Sequence, residues 1–442
     1  MNESYVINDF LCYPQAGFVA LDSDFETKKE SERLLKERKP FNEDVFGLKP
    51  LNFFMSNKLG VFITSECQLR CIYCYYDSDS ILQKKGKVIS FRQIDFIVEK
   101  VFESSRIISI ASKRMEKVEI TISGGGEPTL HWDVFCYFVN ELRKKSIETG
   151  IPLEIELVTN GILSPEKVDF IIENIDMVTL SYDGTPKIQR FQRIGSALQH
   201  ELIESFLKRL SDVGFDFVVR ATVLSTEDER LVNICEFLFS KYNGLRHIVF
   251  EPVAHSGRAE NFESEYRSDF LSEYIKAYEY VSSHFPKKSI SCSLFPSNLT
   301  PSICSAWLGR TPWIDAEGYL MPCNERMSHE KYAIGKIGLN GGFDWYDTNK
   351  PSYVPGKGVL SKECNECIAY YFCRGGCPIV FQRNEKGCLC TESSKKACNM
   401  VRRYWTEVFS NLSKGEMFMG FVPEVLFVNP KTGKPSIIGV RK

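Results

Sequence analysis

The amino-acid sequence predicts an α/β fold, a partial (β/α)6 barrel of parallel strands followed by a cysteine-rich, cluster-binding C-terminal domain. Between residues 57 and 286, six apolar runs alternate with helix-forming segments, which is typical of a parallel sheet. Between residues 287 and 405 this alternation fades, and Cys, Gly and Pro become frequent. A segment with so few apolar runs needs another source of stability, which bound metal can supply. We therefore expect four parts, which are residues 1–56, 57–286, 287–405 and 406–442.

The barrel prediction rests on six strands and the helices between them. The predicted strands cover residues 60–64, 118–123, 153–159, 177–182, 215–223 and 248–253. The clearest helices are predicted at residues 132–144 and 202–210. Six units suit an incomplete TIM-type barrel, and such barrels carry their chemistry at the C-terminal ends of the strands. We expect the functional side chains at that edge.

The two ends of the chain give separate signals. Residues 18–22 predict a strand, and residues 26–38 predict a charged helix. Residues 426–428 and 437–440 flank a turn-forming segment and predict a hairpin or strand pair. Neither end has a function that the sequence assigns.

Charge and composition exclude several classes of protein. The net charge is −2 and there is no basic block, so we expect no nucleic-acid partner. We find neither a signal-peptide pattern at the N-terminus nor an apolar run of about 18 residues, and we expect no membrane span and a cytoplasmic location. The sixteen Cys concentrate in two regions, which favours ligation of metal in a reducing compartment over disulfides. Cys12, Cys136 and Cys235 lie outside those regions and are interpreted as ordinary buried residues.

The most specific motif is a short loop after the first strand that contains Cys67, Cys71 and Cys74. An iron–sulfur cube normally takes four Cys ligands, so three thiolates leave one iron open to a ligand that is not protein. A zinc knuckle would need a fourth Cys or His nearby, and the sequence offers none. Disulfides are disfavoured by the odd number and tight clustering of the thiols. The loop therefore predicts a [4Fe–4S] cluster that takes part in a reaction.

This C-x3-C-x2-C spacing resembles the signature of the radical S-adenosylmethionine (radical SAM) enzymes. The resemblance implies that the open iron binds S-adenosylmethionine and that an electron from the cluster splits it to a 5′-deoxyadenosyl radical. Gly124, Gly125, Gly126 and Glu127 close the second strand and match the family's Gly-Gly-Glu-Pro, which binds the methionine amine of the cofactor. A carboxylate beside exposed backbone acceptors suits an ammonium group better than a phosphate. Peptide maturases of this kind often carry an N-terminal segment that contacts the substrate leader, and the resemblance offers this role as a hypothesis for residues 1–56.

Other cofactor contacts follow from the same resemblance. Tyr73, before the third Cys, would lie against the adenine, as would Val253 on the sixth strand. Ser181 and Arg193 match a Ser and an Arg that contact the ribose and carboxylate in anaerobic sulfatase-maturating enzymes. A Ser at a strand end is also an ordinary cap or turn residue, and Val253 could be plain core. Arg220 and Asn160, at other strand ends, are weaker candidates.

The second cysteine region resembles the SPASM domain, which binds auxiliary [4Fe–4S] clusters. By position, the outer cluster would take Cys364, Cys367, Cys373 and Cys398, with Cys388 or Cys390 as alternatives to the last of these. The inner cluster would take Cys304, Cys323 and Cys377, with Cys292 or no protein group as its fourth ligand. A zinc ribbon is the alternative, since C-x2-C pairs also bind zinc. Cys398 is predicted to open a helix at residues 399–409.

Together these features predict a radical SAM oxidoreductase that takes a hydrogen atom from a peptide and forms a thioether or carbon–carbon crosslink. Its partners would be a peptide or protein substrate and an electron donor such as a flavodoxin or ferredoxin. The runner-up is sulfatase maturation to formylglycine, in which an Asp after the second SPASM Cys acts as base. Here Asn324 stands at that position, although Asp183 or another carboxylate could replace the base. A zinc-organised binding scaffold is the alternative of another class.

Overall fold

A computed structural model gives the fold of this chain. It describes residues 5–7, 10–13, 18–21, 56–76, 86–224, 230–253, 257–261, 270–295, 311–324, 333–346, 362–365, 367, 369, 373, 375–377, 380–384, 388–413, 425–428 and 435–438. The predicted helix at residues 26–38 and the predicted ligand Cys304 lie outside these ranges. No helix among the described residues is both long and apolar enough to cross a membrane.

The described elements follow one another in chain order. The strands are β1 Tyr5–Ile7, β2 Phe10–Tyr13, β3 Phe18–Leu21, β4 Lys58–Phe62, β5 Arg70–Cys71, β6 Val118–Ser123, β7 Leu153–Thr159, β8 Met177–Ser181, β9 Arg193–Ile194, β10 Phe217–Val223, β11 Leu245–Pro252, β12 Ser289–Ser291, β13 Trp313–Ile314, β14 Tyr319–Met321, β15 Gly335–Ile337, β16 Phe343–Trp345, β17 Val425–Val428 and β18 Pro435–Ile438. The helices are α1 Phe91–Ser112, α2 Trp132–Thr149, α3 Pro165–Asn174, α4 Pro186–Gln192, α5 Ala197–Asp212, α6 Leu231–Lys241, α7 Phe270–His284, α8 Lys362–Asn365 and α9 Glu392–Ser413.

The central sheet has eleven strands in the order β12-β11-β10-β8-β7-β6-β4-β13-β14-β15-β16. From β12 to β13 all neighbours are parallel, and the last three strands are antiparallel. The strands from β4 to β12 are in chain order, which is the arrangement of a partial TIM-type barrel. The six predicted strands are present, and the parallel part of the sheet adds β12 and β13, which sequence analysis missed because their runs are only three and two residues long.

The two faces of the parallel strands differ in polarity, as their alternating side chains require. One face is apolar and packs against the helices, with Ile120, Ile155 and Leu180 almost fully buried. The other face carries polar groups, among them the Glu156 carboxylate, which accepts hydrogen bonds from Thr121 (3.1 Å) and Thr179 (2.7 Å). The helices therefore hold the outside of the barrel, and the inner face remains available for polar ligands.

Helix boundaries correct the sequence predictions in detail. The helix predicted at residues 202–210 begins earlier, at Ala197, because Ser196 and Gln199 form a reciprocal capping box. The helix predicted at 399–409 runs from Glu392 to Ser413, so Cys398 lies inside it and does not open it. A buried Ser394, bonded to the Val380 carbonyl, anchors this earlier start.

The two chain ends meet in a second sheet with the order β1-β2-β3-β17-β18. The C-terminal strands β17 and β18 pair with each other antiparallel, and β17 pairs with β3 in parallel. The N-terminal and C-terminal segments therefore share one structural unit. The division of the chain into four parts stays a prediction.

Candidate active site

The loop that contains Cys67, Cys71 and Cys74 follows β4 and lies at the C-terminal edge of the barrel. Its middle forms β5, which pairs antiparallel with β9 so that Cys71 is opposite Arg193. On the other side, the Arg258 amide donates to the Cys74 carbonyl (3.0 Å), and its Nη1 donates to the Cys71 carbonyl (2.9 Å). Segments that are distant in sequence thus fix the loop backbone, and the three thiols keep a defined arrangement.

The glycine-rich segment after β6 packs directly on this loop. The Glu127 amide donates to the Glu66 carbonyl at 2.7 Å, and the Gly126 amide donates to the Thr64 carbonyl at 3.1 Å. A Cβ atom on Gly126 would lie 1.8 Å from the Glu66 carbonyl oxygen, and one on Gly125 would lie 2.1 Å from the Tyr76 ring. Gly is required at both positions because the backbone itself is the contact surface.

The Glu127 side chain is occupied by protein groups. It is 2% exposed. One carboxylate oxygen accepts from the Thr129 hydroxyl (2.6 Å) and the Thr159 hydroxyl (2.7 Å), and the other accepts from the Asn160 amide (2.7 Å). Burial raises the pKa of Glu127, and these hydrogen bonds oppose the shift. The predicted contact of this motif with the cofactor amine is therefore better supplied by the glycine backbone than by the carboxylate.

Asp183 and Arg193 form a buried ion pair beside the loop. The Asp183 carboxylate accepts from Arg193 Nε (3.0 Å) and Nη2 (3.1 Å), from the Thr222 amide (3.0 Å) and from the Tyr73 hydroxyl. The Arg193 guanidinium also lies over the Tyr73 ring, 5.5 Å from its centroid. A carboxylate with this many donors is unsuited to proton abstraction, so the geometry favours a positioning role for Asp183 over the predicted catalytic one.

Two sulfur atoms of the loop receive an N–H donor each. Asn160 Nδ2 lies 3.8 Å from Cys67 Sγ, and Arg193 Nη1 lies 3.9 Å from Cys71 Sγ. Asn160, a weak candidate from sequence, is therefore part of the site. Both donors face groups that become negatively charged when they bind a metal.

The three thiols are suited to bind a cluster, and each must lose its proton to do so. Cys67 keeps an exposed face, yet loss of water around its sulfur raises the pKa to about 12, with further contributions from Glu127 and the other two thiols. Burial raises the pKa of Cys71 to about 11, and Arg193 opposes the shift. The mutual electrostatic influence shows that the three thiols lie near one another. No three His, Cys, Asp or Glu side chains in the described part of the chain are arranged to hold a single metal ion.

The predicted adenine contacts Tyr73 and Val253 come together. Val253 is 4% exposed and forms a small apolar cluster with Leu224 and Ala259, against which Tyr73 packs. Ser181 ends β8 on the polar face of the sheet, opposite Arg220 of the next strand. Arg220 pairs loosely with Glu251, with 3.9 Å between the charged atoms. These placements agree with a cofactor lying along the strand ends, and the individual roles stay predictions.

Two thiols of the second region, Cys373 and Cys398, have pKa values raised by burial and by neighbouring cysteines. Burial raises the pKa of Cys373 to about 12, and Cys398, Cys367 and Cys364 raise it further. Burial also raises the pKa of Cys398, and Cys367 and Cys364 add to that shift. These are the four residues predicted to hold the outer auxiliary cluster, and that role stays a prediction. Cys388 and Cys390, the alternatives, are both exposed.

The remaining predicted ligands are less well defined by the described residues. Cys323 and Cys377 are half-buried, and the Cys323 thiol faces Asn324 Oδ1 at 3.6 Å. Cys292 is 5% exposed within the main apolar core. Burial and then Glu251 raise its pKa well above the ordinary value, and among the described residues no second cysteine adds to that shift as at Cys373, which favours a plain buried thiol. Its predicted role as a ligand stays without support from the geometry.

Sequence reasoning missed two arginines. Arg258 fixes the cysteine loop from the segment after the sixth predicted strand, where its position at a C-terminal strand end could have indicated it. Arg402 hydrogen bonds to Cys367 and lies one helical turn after Cys398. The i, i+4 spacing from a predicted ligand was the available signal.

A partial barrel with three loop thiols at its C-terminal edge is the arrangement that the sequence predicted for a radical SAM domain. Residues 61–238 match the sequence model of the radical SAM superfamily. This segment thus carries a radical SAM domain, and such a domain implies S-adenosylmethionine and a [4Fe–4S] cluster as cofactors.

Curated relatives cover the chain to different extents. It is 27% identical over 202 residues to GTP 3′,8-cyclase 1 of Mycobacterium tuberculosis, which covers 45% of this chain and 52% of that protein. It is 23% identical over 345 residues to the cysteine-type anaerobic sulfatase-maturating enzyme of Clostridium perfringens. This alignment covers 71% of this chain and 86% of that protein. The chain spans about half the length of the cyclase, so that relative indicates a shared domain only.

Solved structures match a larger share of the chain than the superfamily sequence model does. Native anSMEcpe with bound AdoMet superposes with a TM-score of 0.61 at 17% identity, covering 81% of this chain and 99% of that one. Streptococcus suis SuiB bound to precursor peptide SuiA gives a TM-score of 0.56 at 13% identity. The superposition covers 84% of this chain and 80% of that one. At these identities the likeness establishes a common fold.

Proposed function

We propose that this chain is a peptide maturase that removes a hydrogen atom from a peptide residue and joins the resulting centre to a second atom by a thioether or carbon–carbon bond. When bound, the cluster and S-adenosylmethionine supply the 5′-deoxyadenosyl radical for that step. The observation that carries the proposal is the second cysteine group, Cys364, Cys367, Cys373 and Cys398. Crosslinking is a net two-electron oxidation, and auxiliary clusters are suited to accept the second electron.

Residues of this chain have definite tasks in that reaction. Asp183 and Arg193 hold Tyr73 and the middle of the cysteine loop, and Glu127 holds the strand end that carries Asn160. The apolar cluster with Val253 offers a surface for a flat base and excludes water from it. The polar inner face of the barrel, with Glu156, is suited to a peptide backbone.

Asn324 favours crosslinking over formylglycine formation. The base expected in sulfatase maturation would follow the second cysteine of the C-terminal domain, and that place beside Cys323 holds an amide. Asp183 does not replace it, because its carboxylate is buried and paired with Arg193. Two structural neighbours bind peptides, since SuiB was solved with its precursor peptide SuiA and anSMEcpe with the Cp18Cys peptide.

Sulfatase maturation is the second candidate. The specific observation in its favour is the sulfatase-maturating relative, which matches over most of its length. It would need a carboxylate near the substrate other than Asp183. The electron donor, proposed as a flavodoxin or ferredoxin, and the cytoplasmic location are common to both candidates.

Mass spectrometry separates the two candidates. Anaerobically prepared, reduced protein should be incubated with S-adenosylmethionine and the peptide encoded beside its gene. Loss of two hydrogen atoms for each crosslink supports the maturase. No change in that peptide, together with formylglycine in a sulfatase-derived peptide, reverses the ranking.

Iron analysis of the purified protein tests the alternative of a zinc-organised binding scaffold. Brown protein with about twelve irons agrees with three cubanes, whereas colourless protein with zinc supports the scaffold.

A further inference from the structure

Two residues have side-chain donors that face the loop sulfurs, and each of these residues also donates a hydrogen bond to a buried carboxylate. Glu127 fixes Asn160 by accepting its backbone amide at 2.7 Å, and the amide side chain extends to Cys67 Sγ at 3.8 Å. Asp183 fixes Arg193 through two guanidinium nitrogens at 3.0 and 3.1 Å, and the third nitrogen lies 3.9 Å from Cys71 Sγ. The same arrangement of carboxylate, donor and sulfur thus occurs twice at one loop.

The arrangement is not explained by structural pairing alone. An ion pair needs only its two partners. The Asp183–Arg193 pair is nevertheless oriented so that Arg193 Nη1, which does not contact Asp183, faces Cys71 Sγ. The second donor, Asn160, carries no charge, and its Oδ1 accepts from the Ile162 amide at 3.0 Å, which leaves its Nδ2 directed at Cys67. Both sulfurs belong to the predicted ligands of the cluster that a radical SAM domain implies.

Hydrogen bonds and positive charge near cluster sulfurs stabilise the reduced cluster, because reduction adds negative charge. Burial makes this effect larger, since Asp183 and Glu127 are 1% and 2% exposed and water screens the site little. The donors differ in strength. Arg193 brings a cation, whereas Asn160 brings a neutral dipole, so Arg193 should have the larger effect.

We propose that Asp183 and Glu127 are positioning residues that aim Arg193 at Cys71 and Asn160 at Cys67, and that these two donors raise the reduction potential of the cluster. The role concerns the electron that starts the reaction. It rests on the cluster that the superfamily implies, and it holds for either peptide reaction. A failed crosslinking assay would count against the proposed function but not against this effect on the reduction potential.

The test is a redox titration of the whole enzyme followed by electron paramagnetic resonance. The relevant signal is the one that changes when S-adenosylmethionine is added, which separates it from auxiliary clusters. For Arg193→Met we expect at least a tenfold lower ratio of reduced to oxidised cluster at a fixed ambient potential, about 59 mV for one electron. Asn160→Leu should shift it in the same direction by less, and Arg193→Lys should restore part of the loss.

A matched control is Arg143→Met. Arg143 pairs with Asp176 at 2.7 Å elsewhere on the barrel, so its loss should leave the potential unchanged. An unchanged potential in Arg193→Met with its iron retained would overturn the proposal. If that variant does not retain iron, Asn160→Leu decides, because an unshifted potential there would equally refute a role for the donors.

Discussion

The first cysteine loop and the second cysteine group differ in what holds their thiols. Around the first loop, the partners come from distant strand ends, as in the pairing of Cys71 with Arg193 and the contact of Gly126 with Glu66. In the second group the backbone bonds are local, such as the Cys373 amide to the Ala369 carbonyl at 2.8 Å and the Cys367 amide to the Cys364 carbonyl at 3.1 Å.

The difference teaches how each site acquires its shape. A loop fixed by a parallel barrel is preorganised before metal arrives. A loop with short-range bonds depends more on the metal that it binds, because metal binding and folding are then coupled. The helix α9 partly offsets this, since Trp405 is fully buried and anchors the helix that carries Cys398.

The largest effect should come from Gly126→Ala, which breaks the contact between barrel and first loop. The added methyl would meet the Glu66 carbonyl, so the loop must move. We expect loss of about four of twelve irons and a fall in S-adenosylmethionine cleavage of about a hundredfold or more. Iron analysis and 5′-deoxyadenosine release measure the two quantities.

Gly342→Ala is the control for that variant, because its Cβ would meet nothing closer than 3.3 Å. It should retain full iron and cleavage. If Gly126→Ala behaves as Gly342→Ala does, the packing of the glycine segment on the loop does not position the cluster.

Cys373→Ala tests the other region and should have a smaller effect on the cofactor. We expect it to lose about four irons from the auxiliary site. Part of the S-adenosylmethionine cleavage should remain, because the first loop is held by the barrel, while the crosslinked peptide should not form. Cys388→Ala, which removes an exposed thiol, is its control. Full product from Cys373→Ala would refute an auxiliary role for this group.

The smallest effect is a pH dependence of iron loading. The Cys67 and Cys71 thiols have pKa values of about 12 and 11, raised by burial, so both are protonated at neutral pH in the iron-free chain. Each must lose a proton to bind iron, and lower pH therefore opposes loading. We expect the apparent affinity to fall by about tenfold per pH unit for each thiol. Competition with an iron chelator between pH 7 and pH 8 measures it, and a flat profile would contradict raised pKa values at these thiols.

Local sequence predicted the parts of the site that lie within one short segment. The spacing of Cys67, Cys71 and Cys74 and the run from Gly124 to Glu127 need only a few residues to be recognised, because their chemistry depends on neighbours in the chain. The strands were predictable for a similar reason, since buried parallel strands are continuous apolar runs. The three-residue strand β12 was too short for that signal.

Other features depended on contacts that no local pattern encodes. The hydroxyl of Tyr73 reaches Asp183 across 110 positions, and Asn160 reaches Cys67 across 93. The engagement of Glu127 by Thr159 and Asn160 is likewise visible only once β6 and β7 lie side by side. Strand order and burial decide such contacts.

The sequence by itself determined six parallel strands and predicted the ligands and the edge at which chemistry should occur, because short spacings and apolar periodicity act over a few residues. Only the tertiary structure decided that Asp183 forms an ion pair with Arg193 and that Arg193 and Asn160 face sulfurs. It also decided that strands from both chain ends share one sheet. A buried charge must find its partner wherever folding places one, and that choice is made by packing in three dimensions.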